Sequence, residues 1–283
     1  MRRLVRMSLC TCALAALTAG CSTYPTGTVR HLTFYSHSLQ KTMKVDVYLP
    51  PRYSKNKQYP VLYLLHGKGA NANSWMTTWW RGNSIHANQD ANRLIGRGRI
   101  KPIVIVSPEI DNGYGVNTAN HTYNVGGYSR GEYETYIDTD LVHFIDSHFS
   151  VSTARANTYI GGFSMGGFAA LMIAFTHQDM YSKVAVMSAA LWNGALPSSL
   201  SWIYPSTADQ NARDPIVIAA HRHISIPVLI IEGTQDPFYY ADLNLARVLK
   251  SQSAHVTLHV YPGKHDYRFW QSHANELLEF VDG

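Results

Sequence analysis

Cysteine is missing from almost the whole chain. The three present among 283 residues, Cys10, Cys12 and Cys21, fall within the first 21 positions. The remaining body therefore has no disulfide framework, no thiolate zinc site and no cysteine nucleophile. Charge is sparse too, at 15% of residues against 46% hydrophobic, which describes a chain that buries a core rather than a disordered one. Nor is there a basic stripe. Of the formal charge of +5, Arg2, Arg3 and Arg6 supply three, the first twenty residues hold no acidic side chain, and the rest carries +2. That balance excludes nucleic acid as a favoured partner. Internal repeats, low-complexity tracts and linkers are absent, and a single large domain follows. His221 and His223 stand two apart, on different faces of any helix, so no metal site is read, and the chemistry calls for no cofactor.

What is present begins with a three-zone N-terminus: basic Arg2 to Arg6, apolar Leu9 to Leu17, then Thr18-Ala19-Gly20 ahead of Cys21. The apolar zone is shorter than the roughly 20 residues of a membrane span. It reads as a bacterial export signal over residues 1–20. Thr18-Ala19-Gly20-Cys21 resembles a lipobox, with Leu17 one place earlier than the usual leucine, so lipidation of Cys21 and ordinary cleavage both stay open. The expected layout is a leader (1–20), a short tether (21–28) and a catalytic domain (29–283), located at the cell envelope, lipid-anchored or periplasmic or secreted.

In the body, Val29 to Tyr35 and the alternating Met43 to Leu49 predict an antiparallel edge pair. Continuous apolar runs follow at Tyr59 to Leu65, Ile103 to Val106, Thr158 to Ile160, Val184 to Met187 and Val228 to Ile231, as suits strands buried on both faces. Helical stretches at Glu132 to Ser147, Ser164 to Thr176 and Ala241 to Ser251 separate most of them, and Tyr267 to Val281 reads as a closing amphipathic helix. This alternation predicts an α/β fold with a mainly parallel sheet covered by helices on both faces. Ligands in such sheets bind beyond the carboxyl ends of the strands. Chemistry-bearing residues cluster there: His66-Gly67, Ser107 to Glu109, Ser164, Ser188, Gly233 to Asp236 and Gly263 to Asp266.

Gly161-Gly162-Phe163-Ser164-Met165-Gly166-Gly167 stands out among them. A tight strand-to-helix turn needs glycine on both sides of its apex and leaves the apex hydroxyl exposed at a helix start. Ser164 is the candidate nucleophile, and the amide of Met165 faces a forming oxyanion. A serine needs a base oriented by a carboxylate. His265, in the glycine turn after Val256 to Tyr261, and Asp236, after Val228 to Ile231, supply them in the order Ser, Asp, His. Asp242 is an alternative carboxylate. For the second oxyanion donor, Lys68 N–H in His66-Gly67-Lys68-Gly69 is favoured, with Gly69 next and the lysine side chain incidental.

These stretches, with Pro60 to Gly67, Tyr133-Glu134-Thr135-Tyr136-Ile137 and Gly233 to Phe238, resemble the esterase D family of α/β-hydrolases over about Val29 to Phe280. The resemblance spans S-formylglutathione hydrolases, feruloyl and acetyl-xylan esterases, tributyrin-type esterases and mycolyltransferases. It implies the α/β-hydrolase fold, Ser164, Asp236 and His265 as catalytic residues, and Lys68 and Met165 as oxyanion donors. Two variable regions, Asp111 to Arg130 and Ser188 to Pro215, overhang the active face, and their Tyr123, Trp192 and Trp202 are candidate substrate contacts. The expected activity is a serine carboxylesterase acting on short-chain acyl, feruloyl or acetylated-sugar esters, with a small-molecule or carbohydrate ester as its partner. Acyl transfer to a carbohydrate is one alternative, and a non-catalytic binding lipoprotein is another.

Overall fold

The computed structural model describes residues 24–76, 84–125 and 127–283, with residues 123–125 through their backbone alone. The expected leader and Cys21 lie outside the described residues. The strands are β1 (Thr28–Ser36), β2 (Lys41–Leu49), β3 (Val61–Leu65), β4 (Val104–Pro108), β5 (Asn117–Val125), β6 (Tyr128–Glu132), β7 (Thr158–Phe163), β8 (Lys183–Met187), β9 (Val228–Gly233) and β10 (Val256–Tyr261). The α-helices are α1 (Ala87–Gly96), α2 (Tyr133–Thr135), α3 (Leu141–His148), α4 (Met165–Thr176), α5 (Thr207–Arg213), α6 (Pro215–His221), α7 (Tyr239–Ser251) and α8 (Tyr267–Asp282). A π-helical turn, Tyr136–Asp140, joins α2 to α3.

Eight strands form one sheet in the order β1-β2-β4-β3-β7-β8-β9-β10. β1 pairs antiparallel with β2, and β2 antiparallel with β4; every other pairing in the sheet is parallel. The expected α/β class and edge pair stand. Every residue of β3, β4, β7 and β9 is buried, so these strands are apolar apart from Ser107, Thr158 and Glu232, whereas β10, at the sheet edge, has no fully buried residue. Pro60 delays β3 to Val61, since proline cannot donate to the ladder. Tyr59 makes a single bridge to Val151 instead.

Side chains alternate across the sheet. Val61, Tyr63 and Leu65 face a core with α3, α4, α6 and α7; Leu62 and Leu64 face a second with α1 and α8. α4 lies deepest, with Met165 to Phe175 all buried, so it is apolar all round rather than striped. α8 is striped, burying Phe269, Trp270, Ala274, Leu277, Leu278 and Val281, and Asp266 caps it by accepting from Phe269 N at 2.9 Å. No helix among the described residues is long and apolar enough to cross a membrane.

The region Asp111 to Arg130 holds more than an overhanging loop. β5 and β6 form a two-stranded antiparallel hairpin with register shifts, turning at Gly127 with φ 77°. Asn117 fastens it to α2, its amide donating to Thr135 Oγ1 at 2.9 Å and its oxygen accepting from Thr135 N at 3.1 Å.

Candidate active site

Ser164 sits between β7 and α4 with φ 55° and ψ −121°. A non-glycine residue there is held in a sparsely populated region, at a cost of roughly 1–3 kcal/mol. The surrounding backbone enforces it. Ser164 N donates to Met187 O at 3.1 Å, and its own carbonyl accepts from Phe168 N at 3.0 Å and Ala190 N at 2.9 Å. Glycine is required on both sides by close approach: a Cβ on Gly162 would lie 2.3 Å from Gly166 O, and one on Gly166 would lie 2.2 Å from Leu65 O.

The structure brings the three candidate side chains together. His265 Nε2 is 2.8 Å from Ser164 Oγ, and His265 Nδ1 is 2.7 Å from Asp236 Oδ2. Asp236 accepts from Nδ1–H, which leaves Nε2 to accept from the serine hydroxyl. The Asp236 side chain is fully buried while that of His265 is 23% exposed, so the carboxylate is shielded and the imidazole can meet a substrate. Phe238 N donates to Asp236 Oδ1 at 2.9 Å. Phe238 and Trp270 meet the imidazole edge-on, at 5.3 and 5.0 Å between centroids. Asp242, the alternative carboxylate, does not reach His265: it lies buried in α7, accepting from Ala189 N at 2.9 Å.

Beside Ser164, the amides of Met165 and Lys68 have no hydrogen-bond partner among the described residues, while Gly69 N donates to Asn112 Oδ1 at 2.8 Å. Lys68 therefore offers a free N–H where Gly69 does not. The lysine side chain is also engaged, with Nζ 3.0 Å from Tyr128 Oη. Under this loop lies a strut that sequence reasoning noted by position but gave no role. His66, fully buried, contacts Gly67 O at 2.8 Å and Glu109 Oε1 at 2.9 Å. Burial drives the Glu109 pKa up, but the His66 contact and the amides of Asp111 and Ala72 outweigh it and hold the carboxylate below its ordinary range.

Trp192 packs 5.5 Å from Phe238, one ring removed from His265, and also against Tyr114 and Phe168. Trp202 stands farther back, against Tyr114 and Tyr128. Tyr123 belongs to β5, and its side chain lies outside the described residues. Two open clefts flank the array. One of about 900 Å³, lined by Gln235, Lys264, Asp266, Tyr267 and Arg268, borders the turns carrying Asp236 and His265. The other, about 600 Å³, is lined by Trp192, Asn193, Gln210, Tyr240 and Asn244.

Among the described residues, one trio has metal-ligand spacing: Glu134, Asp138 and His177, with ligand atoms within 4.8 Å of one another. It lies at the C-terminal end of α4, away from Ser164. His177 Nε2 stands 3.0 Å from Glu134 Oε1 and 3.4 Å from Asp138 Oδ2. The hydrogen bond to Glu134, with the nearby carboxylate charges, raises the His177 pKa against the effect of burial, which suits an ion pair.

A parallel sheet of this order, reversed only at its first strands, with a serine turn at its centre, defines the α/β-hydrolase class. Within it, the chain belongs to the esterase family described as "Putative esterase", whose model matches residues 36–280, and the resemblance read from the motifs stands. The chain is 29% identical over 167 residues to the endo-1,4-beta-xylanase/feruloyl esterase of Xylanibacter ruminicola, covering 57% of this chain and 22% of that relative. It thus spans about a fifth of that relative's length. Among solved structures it is similar to a ferulic acid esterase, with TM-score 0.75, 24% identity and coverage of 91% of this chain and 98% of that one. It is also similar to an S-formylglutathione hydrolase from Agrobacterium tumefaciens, with TM-score 0.75, 19% identity and coverage of 92% and 96%. Both likenesses establish the fold.

Proposed function

We propose that this chain is a serine carboxylesterase, with Ser164 as nucleophile, His265 as base and Asp236 as its orienting carboxylate. The observation that carries the reading is the hydrogen-bonded array Ser164–His265–Asp236 at 2.8 and 2.7 Å, set beside two amides that have no partner among the described residues. His265 Nε2 takes the hydroxyl proton as Ser164 Oγ bonds to the ester carbonyl carbon, and the carbonyl oxygen, now negative, accepts from Lys68 N–H and Met165 N–H. The tetrahedral intermediate collapses, the C–O bond to the alcohol breaks, and His265 returns the proton to the departing oxygen. Water, deprotonated by His265, then attacks the acyl-serine, and the acid leaves with Ser164 restored.

Feruloyl esterase names among the relatives, together with Trp192 beside Phe238, support a feruloyl, short-chain acyl or acetylated-sugar ester as substrate. The three-zone N-terminus supports export to the cell envelope with a lipid on Cys21. Loss of envelope-bound protein, or of acyl-chain labelling, in C21A would support the anchor; unchanged labelling would remove it.

The activity is tested with 4-nitrophenyl acetate and a fluorophosphonate probe. Turnover and a covalent adduct on Ser164 are expected; folded protein that shows neither overturns the reading. A panel of feruloyl, acetylated-sugar and short-chain esters then ranks the acyl groups by kcat/KM.

A further inference from the structure

Directly beneath the array lie two acidic side chains that this reaction does not use. Glu232, at the end of β9, and Asp242, in the first turn of α7, are both 0% exposed. Their four oxygens have a specific set of partners. Glu232 Oε1 accepts from Gly233 N at 3.0 Å, and Asp242 Oδ2 accepts from Ala189 N at 2.9 Å. The other two, Glu232 Oε2 and Asp242 Oδ1, are buried with no donor among the described residues, although the two carboxyl groups are within hydrogen-bonding reach of each other. Two acceptors facing each other without a donor would each bear a desolvation penalty of a few kcal/mol, and two buried like charges more. One proton placed between them satisfies both.

The placement of Asp242 gives that proton a consequence. Three successive amides after β8 are spoken for: Ser188 N donates to Ile231 O at 3.0 Å, Ala189 N to Asp242, and Ala190 N to Ser164 O at 2.9 Å. Asp242 thus holds the residue next to the one that holds the nucleophile's backbone in its strained conformation. Glu232, immediately before the Gly233–Asp236 turn that closes through Asp236 N to Gly233 O at 3.0 Å, holds through Gly233 N the turn that carries the orienting carboxylate.

We propose that Glu232 and Asp242 share a single proton and act as a positioning pair for Ser164 and Asp236, fastening β9, α7 and the 188–190 loop into one unit below the site. The inference rests on the serine esterase reading. The ionisable groups facing the pair are Asp236, from the turn after β9, and His265, from the turn after β10. Burial and the Asp236 charge push Glu232 up to about 7, with its contact to Asp242 pulling the other way, and burial, then Glu232 itself, drives Asp242 well above the ordinary carboxylate range. Both directions agree with one retained proton at neutral pH, held mainly by Asp242.

The test compares wild type with D242N, E232Q and D242A. Either amide keeps a donor between the two side chains but has no proton to lose. D242A removes both the shared bond and the acceptor for Ala189 N. The expected result for D242A is a fall in kcat of about tenfold or more, with KM within about twofold, because the nucleophile is displaced while the clefts are intact. D242N restores most of the loss. In wild type the thermal midpoint declines from the ordinary carboxylate range up to about pH 7, as the unfolded chain gives up protons that the folded pair keeps, and in D242N and E232Q that part of the decline disappears. A D242A enzyme with wild-type kcat, or amide variants whose stability follows pH as steeply as wild type, overturns the pair. Should D242A not fold, the E232Q and D242N slopes decide alone. Wild-type labelling of Ser164 by fluorophosphonate separates the two readings: if labelling fails, the esterase assignment falls, whereas a pair that fails with labelling intact falls by itself.

Discussion

At the scale of the residue, the site concentrates its demands on three side chains and two amides. In the proposed mechanism the reaction runs as one unit through Ser164 and His265, so removing the nucleophile alone should remove nearly all catalysis. S164A is expected to lower kcat by about 10⁴-fold to 10⁶-fold with an unchanged circular dichroism spectrum, since the methyl group tolerates the same backbone. D236N tests the orienting step. An amide presented to His265 Nδ1 favours the wrong tautomer, so a loss on the order of 10⁴-fold in kcat is expected, with fluorophosphonate labelling slowed in proportion. Labelling of D236N at the wild-type rate would show that Asp236 does not orient the base. This trio was legible in the sequence for a physical reason: a strained turn restricts its neighbours to glycine, and the partners must follow later strands of the same sheet. The pairing of Glu232 with Asp242 was not legible. Nothing in a linear sequence shows that a strand end and a helix start ten positions apart point at each other in the dark of the core.

Elements set what the residues can do. The turn at Ser164 works because β7 and α4 approach each other at glycine, and G162A should show it: a Cβ 2.3 Å from Gly166 O forces the strand from the helix. A destabilisation of roughly 1–3 kcal/mol is expected, measured by denaturant unfolding, together with a drop in kcat. A variant of wild-type stability would mean that the turn relaxes without cost. The same physics explains which elements could be read in advance. β3, β4 and β9 are buried on both faces and so are written as apolar runs; α4 is written as an apolar helix. The hairpin of β5 and β6 was unreadable because Asn117–Val125 is polar and follows no period of two. It is held from outside, by Thr135 and by Arg213, whose Nη2 donates to Asn117 O at 3.0 Å. α5 and α6 are seven residues each, too short for a period to emerge, though their caps, Ser206 and the Asp214-Pro215 pair, are the usual start signals for a helix.

For the whole molecule, the ionisable groups divide by the direction in which folding moves them, and this division fixes how stability depends on pH. Glu109 has its pKa lowered on folding, despite the opposing effect of burial, through His66 and two backbone amides. Its contribution is present above the ordinary carboxylate range and lost as pH falls through the folded value. Glu276 behaves alike, with His273, His259 and Tyr261 around it outweighing its burial. His177 moves the other way: its contact with Glu134, and the charges of Asp138 and Asp179, raise its pKa above 6.5 against the effect of burial. Its contribution is complete below about 6.5 and lost as pH rises through the folded value. Glu232 adds to the same alkaline loss, over the interval from the ordinary carboxylate value to about 7. The acid-side groups thus reach full effect by about pH 5, where the alkaline-side losses are only beginning, so the thermal midpoint should peak on the acid side of neutrality and decline towards pH 8.5. H177Q tests the upper part of that decline. The amide keeps a donor for Glu134 but cannot titrate, so above about pH 6.5 its melting curve against pH should be flatter than that of wild type, while the contributions of Glu109 and Glu276 to the acid limb are retained. Parallel curves for H177Q and wild type across the alkaline interval would show that the Glu134–Asp138–His177 cluster contributes nothing to the fold that depends on charge.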